Sequence, residues 1–192
     1  MKKNLVNYIK HYKGFFNNNI CEKTILELNN LDNSVWSEHT FYDFATKKYI
    51  NISGNQELSV LFGANISTKE IIMKKLFEGI KKYMTDLNFP WLNSWSGYTD
   101  IRFNKYSKNK KMAEHCDHIH SMFDGERKGI PVLSLLGILN DDYKGGEFIM
   151  FQDKKIELKK GDLLIFPSVF LYPHRVEPVT KGTRYSFISW VW

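Results

Sequence analysis

The C-terminal half of the chain is a series of short apolar runs separated by turn residues, and that punctuation excludes a helical bundle there. "WSGYTDIRFNKY" (95–106), "VLSLLGIL" (132–139), "GGEFIMF" (145–151), "KKIEL" (154–158), "LLIFP" (163–167) and "TRYSFISWVW" (183–192) each read as strand, with "KKGD" (159–162) as a turn. Many short strands with Gly, Pro and Asp between them predict a sandwich, barrel or jelly roll. "VLSLLGIL" is apolar almost throughout and reads as a strand buried on both faces, whereas "KKIEL" reads as an edge strand.

The N-terminal half has a different period. Ile20, Ile25, Leu28 and Leu31 share a helical face, with Asn19 as the N-cap. A longer helix is predicted over 68–87, where Ile72, Leu76, Ile80, Tyr83 and Leu87 recur at helical spacing. "STKE" (67–70) reads as its capping box, with Ser67 as N-cap and Glu70 three residues on, and Pro90 lies just past its end. The chain is therefore read as one unit of 192 residues: residues 1–94 a mainly helical support, residues 95–192 a β-rich core. Nothing in 32–66 points to a role.

Composition narrows the class. Hydrophobic residues are 43% and aromatics 15%, which suits a packed globular domain. The longest apolar stretch, 132–139, is far too short to span a bilayer, so no membrane partner is expected. "MKKNLVNYIKHYK" lacks an apolar core of the signal-peptide kind, and two cysteines, Cys21 and Cys116, make no disulfide framework. The expectation is a cytoplasmic protein in a reducing compartment. The net charge of +6 is scattered over lysine pairs, the pattern of a solvated surface, so nucleic acid is not an expected partner.

The densest chemistry lies in "AEHCDHIH" (113–120). Three histidines, an aspartate and a cysteine fit a metal site, a nucleophile with its base, or a polar loop. If 113–118 is extended, His115 and Asp117 face one side while Cys116 and His118 face the other. A His and a carboxylate two apart can fill two vertices of an octahedron, and a distant histidine would complete the facial triad of non-haem Fe(II) oxygenases. The candidate is His174 in "FLYPHRVEPV". Ten residues on, Arg184 opens the last strand, where alternation puts Arg184, Ser186, Ile188 and Trp190 on one face. An arginine inside a barrel is costly unless paired, and its planar fork suits a carboxylate.

Four segments in order, "YSKNKKMAEHCD", "LSLLGILNDDYKGGEF", "KKGDLLIFPS" and "PHRVEPVTKGTRYSFISWVW", resemble the 2-oxoglutarate and Fe(II)-dependent dioxygenases, in particular the prolyl 4-hydroxylase branch and its members carried by marine bacteriophages. The resemblance covers about residues 95–192. It implies a mainly β α+β fold, a double-stranded β-helix of the jelly-roll or cupin kind with supporting N-terminal helices. It implies Fe(II) held by His115, Asp117 and His174, and Arg184 on the C5 carboxylate of 2-oxoglutarate. Tyr106 would line that pocket and Trp190 its wall. Two departures stand out: the spacer after the tyrosine, "SKNKK", has no glycine, and Ile138 occupies a position where some relatives place a second tyrosine. Ser134 or Tyr106 is then the expected partner of Arg184.

The implied reaction consumes O2, turns 2-oxoglutarate into succinate and CO2, and hydroxylates a prolyl residue of a peptide or protein, with ascorbate as an accessory reductant. Arg127 and residues 121–128 read as a lid over the substrate, or as an ordinary exposed turn; His118 and His120 are not read as ligands, and Cys116 reads as packing. Three rivals remain. A hydroxylase of free proline or another small molecule fits the same residues. A nucleic-acid dealkylase wants a second arginine where this chain has Trp190. A non-catalytic cupin module with structural zinc would want a closed four-ligand site.

Overall fold

A computed structural model describes residues 4–43, 45–52, 54–89, 95–117 and 130–192. In its N-terminal half lie β1 (Lys10–Tyr12), α1 (Asn18–Asn29), β2 (Ser37–Glu38), β3 (Phe41–Asp43), β4 (Lys48–Ile50), β5 (Ser59–Phe62) and α2 (Lys69–Leu87). The C-terminal half adds β6 (Arg102–Tyr106), β7 (Met112–His115), β8 (Leu133–Ile138), β9 (Lys144–Gly145) and β10 (Phe148–Met150). It ends with β11 (Lys154–Ile156), β12 (Leu163–Pro167), β13 (His174–Val176), β14 (Val179–Lys181) and β15 (Arg184–Val191).

These strands form a large sheet, β1-β12-β8-β15-β6-β5-β2, facing a smaller one, β11-β10-β13-β7. This is the double-stranded β-helix that the family resemblance implies. β8 is buried at every residue and β11 lies at the edge of the small sheet, both as expected. The first predicted strand is interrupted: Arg102–Tyr106 forms β6, while Tyr98 meets Val191 of β15 as an isolated antiparallel bridge.

Alternation along the large sheet builds two cores. Leu133, Leu135, Phe103, Phe187 and Val191 face the helices and meet Ile72, Leu76, Ile80 and Tyr83 of α2. Leu136, Ile138, Leu164, Phe166 and Tyr106 face the small sheet and meet Phe148, Met150 and Val176. The helical stripe predicted for α2 is thus the surface that covers the sheet.

The N-terminal half is more than a helical support. It extends the large sheet at both edges: β1 pairs with β12, while β5 pairs with β6 and β2 with β5. Asp162 of the "KKGD" turn anchors β1, because its carboxylate meets His11 at 2.7 Å and accepts from the Gly14 amide at 2.8 Å. Both helix starts also differ from the predicted caps. Asn17, in extended conformation, accepts from the Ile20 amide at 2.9 Å, so the cap falls two residues before Asn19. α2 has Thr68 at its N-cap with no side-chain cap bond of its own. Glu27 of α1 fills that place, accepting from the Ser67 hydroxyl and the Thr68 amide. A carboxylate from a neighbouring helix meets the positive end of the α2 dipole, so the local capping box is not needed.

Gly137 of β8 lies directly opposite Phe187 of β15. A Cβ there would come within 2.0 Å of the Phe187 ring, which is itself packed edge-on against Phe16 and Phe103. Gly137→Ala should therefore destabilise the fold by about 1–3 kcal/mol, the usual cost of overpacking a tight core. Urea denaturation followed by circular dichroism measures it, and an unchanged midpoint would show that Phe187 can move aside.

Candidate metal centre

β7 and β13 are antiparallel neighbours, and their register sets His115 opposite His174. The two rings lie 4.4 Å apart, centroid to centroid. Asp117 falls just beyond the end of β7, where the chain leaves the sheet. Its Oδ1 lies 3.4 Å from His115 Nε2 and 3.7 Å from His174 Nε2. One ligand atom from each of the three residues fits within 4.8 Å of the others.

The backbone fixes which ring nitrogen faces inward. Nδ1 of His115 lies 2.8 Å from the Ala113 carbonyl, and Nδ1 of His174 lies 3.0 Å from the Tyr172 carbonyl. A carbonyl only accepts, so each Nδ1 donates and each neutral ring keeps its lone pair on Nε2. Burial pushes His174 down to about 4, and the neighbouring His115 adds to the effect, so its ring is neutral at pH 7. Burial by itself would raise Asp117, but the facing imidazoles and the Ser134 hydroxyl outweigh it and hold the carboxylate below the usual range. Two imidazoles and one carboxylate are the donor set of a facial-triad Fe(II) site rather than of a closed four-ligand structural zinc site.

Asp117 is held from across the sandwich. Ser134 of β8 donates to Asp117 Oδ2 at 2.6 Å and lies 2.7 Å from the Ser168 hydroxyl. One carboxylate oxygen is thereby taken, leaving Oδ1 toward the histidines. This corrects the expectation that Ser134 supports Arg184. The hydroxyl partner of Arg184 is Ser186, at 2.9 Å.

Arg184 is 1% exposed, among the most deeply buried large side chains of the described residues. Its guanidinium lies over the Tyr106 ring at 4.9 Å, and its Nε has no hydrogen-bond partner. Gly146, at φ +66°, passes so close that a Cβ would lie 3.1 Å from Arg184 Cδ. A buried guanidinium with an unused donor fits an incoming carboxylate. Arg184 does not share a cavity with the triad in this conformation: it borders a separate one of about 480 Å³, with Tyr143, Gly146 and Phe148.

His115 and Asp117 border instead a cavity of about 490 Å³, together with Trp190. The remaining wall is largely aromatic and comes from residues that sequence reading left without a role: His39, Phe41, Tyr42, Tyr49 and Phe62. Phe41 stands edge-on to His115 at 5.7 Å and to His39 at 4.6 Å. Burial keeps His39 down despite Glu57 at 3.7 Å. Arg102 also lines this wall. A signal for it existed: counting back by twos from Tyr106 along β6 puts Asn104 and Arg102 on the same face. Cys116 borders the cavity too, half-exposed, with its thiol on the Phe170 carbonyl at 3.3 Å, so it is not the packed residue alternation suggested. His118, His120, Arg127 and the proposed lid lie outside the described residues.

Comparison with known proteins matches residues 101–192 to the 2OG-Fe(II) oxygenase superfamily. The chain is 35% identical over 94 residues to a PKHD-type hydroxylase of Idiomarina loihiensis, covering 47% of this chain and 41% of that protein. It is 36% identical over 96 residues to one of Aliarcobacter butzleri, covering 46% and 41%. The chain therefore spans about two fifths of the length of these relatives. Among solved structures, a prolyl hydroxylase of Trichoplax adhaerens, in complex with a hypoxia inducible factor peptide fragment, superposes with a TM-score of 0.70 at 20% identity, covering 97% of this chain and 84% of that one. A viral collagen prolyl hydroxylase from Paramecium Bursaria Chlorella virus-1 gives 0.64 at 15% identity, covering 96% and 94%. A Pseudomonas putida prolyl-4-hydroxylase gives 0.66 at 15% identity, covering 95% and 91%. By fold the whole described chain is of this kind, and by sequence its C-terminal half is similar to the 2OG-Fe(II) oxygenase superfamily.

Removing a residue that orients a metal ligand commonly weakens metal binding by about 10–100-fold. Ser134→Ala should weaken binding of Co(II), a spectroscopic stand-in for Fe(II), by about that factor, while His174→Ala should abolish it. Calorimetric titration reads both, with far-UV circular dichroism as the check on folding. Wild-type affinity in Ser134→Ala would show that the Asp117 contact does not orient the ligand.

Proposed function

We propose, taking a C-terminal half of the 2OG-Fe(II) oxygenase superfamily as premise, that the chain hydroxylates prolyl residues of a peptide or protein with Fe(II), 2-oxoglutarate and O2. The observation that carries this reading is the convergence of His115, Asp117 and His174, with both histidines presenting Nε2. When bound, Fe(II) and 2-oxoglutarate supply the oxidising chemistry, yielding succinate and CO2 while one oxygen atom goes to the substrate carbon.

The chain's own part is to bind, orient and exclude water. His115, Asp117 and His174 would hold the metal. Arg184, whose Nε has no hydrogen-bond partner and whose guanidinium lies over the Tyr106 ring, would take the far carboxylate of 2-oxoglutarate. Trp190 and the aromatic wall form the apolar surface against which a proline ring packs. The relatives' names support a hydroxylase, and the Trichoplax neighbour's bound peptide supports a peptide substrate. Ascorbate enters only as an accessory reductant, with no residue assigned to it. Both cysteines are free, which fits the cytoplasmic reading, and no described helix is long and apolar enough to cross a membrane.

The test is turnover. Protein loaded with Fe(II) without oxygen, then given 2-oxoglutarate, O2 and proline-containing peptides, should add one oxygen atom to a prolyl residue, as read by mass spectrometry. His174→Ala should lose that product, and Arg184→Gln should raise the KM for 2-oxoglutarate by about tenfold or more, the worth of one charged hydrogen bond. Succinate without a peptide product would overturn the peptide substrate. No succinate from iron-loaded protein would overturn the dioxygenase reading.

A further inference from the structure

The inner face of the large sheet carries two arginines at opposite ends. Register pairs Arg184 with Tyr106, Ser186 with Asn104, and Ile188 with Arg102. The two arginine rows are four residues apart, roughly 13 Å along the strands. Arg184 stands at the end assigned above to the co-substrate. Arg102 stands at the other, in the wall of the cavity that holds His115 and Asp117. The five-carbon co-substrate does not extend from one row to the other and also chelate a metal held on the opposite sheet.

Arg102 is 9% exposed and firmly positioned. Its Nε donates to Asn104 Oδ1 at 3.1 Å, and its guanidinium lies 5.2 Å from the Trp190 ring and 6.0 Å from the Phe62 ring. What it lacks is an anion. Among the described residues no carboxylate is in ion-pair range of it. Asp117 acts on it only through space, with Oδ2 taken by Ser134 and Oδ1 turned to the histidines. Asp100, the other acid bordering this cavity, is paired with Lys69 at 2.6 Å. Beside Arg102, the Trp190 indole N–H is buried without an acceptor. A buried guanidinium without a counter-ion is costly, and its two terminal nitrogens match a carboxylate in bidentate geometry.

We infer that Arg102 binds a carboxylate of the substrate itself, so that the enzyme selects a substrate carrying an acid close to the carbon it hydroxylates. This rests on the dioxygenase reading above and narrows its substrate class. The carboxylate can be an acidic side chain beside the target residue of a peptide or the α-carboxylate of a free amino acid. The chemistry of recognition is the same, and the test separates the two.

The full chain, anaerobic with Fe(II) and 2-oxoglutarate, is titrated calorimetrically with matched pairs: proline peptides with Asp or Glu beside the proline against their Asn or Gln twins, and L-proline against L-prolinamide. In at least one pair the acid should bind about tenfold or more tighter than its amide, as one charge-assisted contact requires. Arg102→Gln should abolish that preference, and Arg102→Lys should restore part of it, with thermal melts confirming that both variants fold. A preference among the peptides points to an acidic side chain, one for L-proline to the α-carboxylate. Equal or undetectable binding of every acid and its amide overturns the inference, as does a preference that survives in Arg102→Gln. Succinate formation by the wild type is measured separately: its absence beside an intact Arg102-dependent preference would remove the oxidative chemistry and leave the anion site.

Discussion

The metal centre depends on the register of β7 against β13. Because side chains alternate along a strand, a slip of one residue would turn His115 to the opposite face and break the pair. The pairing that sets His115 opposite His174 also supplies the carbonyls of Ala113 and Tyr172 that fix both tautomers. Two strands of four and three residues thus set the position and ring orientation of both histidines at once. The third ligand is controlled from elsewhere: Asp117 lies off the strand end and is held by Ser134 of the facing sheet. The triad therefore requires both sheets to be packed correctly, which ties the site to the interior core between them.

That interior is unusual for a core, since its β15 and β6 faces carry Arg184, Ser186, Asn104 and Arg102, each 9% exposed or less. Each is positioned by a neighbour on the same face: Arg184 by Ser186 and Tyr106, Arg102 by Asn104 and Trp190. The opposite faces of the same strands, with Tyr185, Phe187, Val191 and Phe103, pack against the helices in the ordinary way. Along β15 and β6 the helix-facing side is apolar core, while the inner side carries the polar groups beside the second core. The close fit of Gly137 under Phe187 belongs to the first side and has no part in the second.

This division explains what could be read from the sequence. The strands of the C-terminal half were legible because each alternates or is wholly apolar and is bounded by Gly, Pro or Asp. The His115–Asp117 pair and Arg184 followed from short-range spacing together with a resemblance to known sequences. What was not legible depends on distant partners. Ser134 gives no local sign that it serves Asp117, and Glu27 gives none that it caps a helix forty residues on. The strands among residues 32–66 are two to four residues long, too short to show a period. Their aromatic side chains gain meaning only once β5 joins β6 and the β3–β4 ribbon borders the cavity. Arg102 was the exception: alternation from Tyr106 points to it.

Charge gives the last constraint on what such a site can accept. Asp117 is the one acid among the three ligands, so a divalent metal there keeps a net positive charge. Arg184 and Arg102 add two more cations behind walls of low dielectric, where unbalanced charge is most costly. A dianionic co-substrate would balance the metal's remaining charge and Arg184. It would leave Arg102, beside Trp190 and tied to Asn104, as the charge of this cavity without a counter-ion among the described residues. His39 does not oppose an anion there, since burial favours its neutral form, and Asp100 is engaged by Lys69. Selection in this cavity then has two physical parts: an apolar aromatic wall that suits a flat ring, and a single fixed cation that rewards an acid beside it.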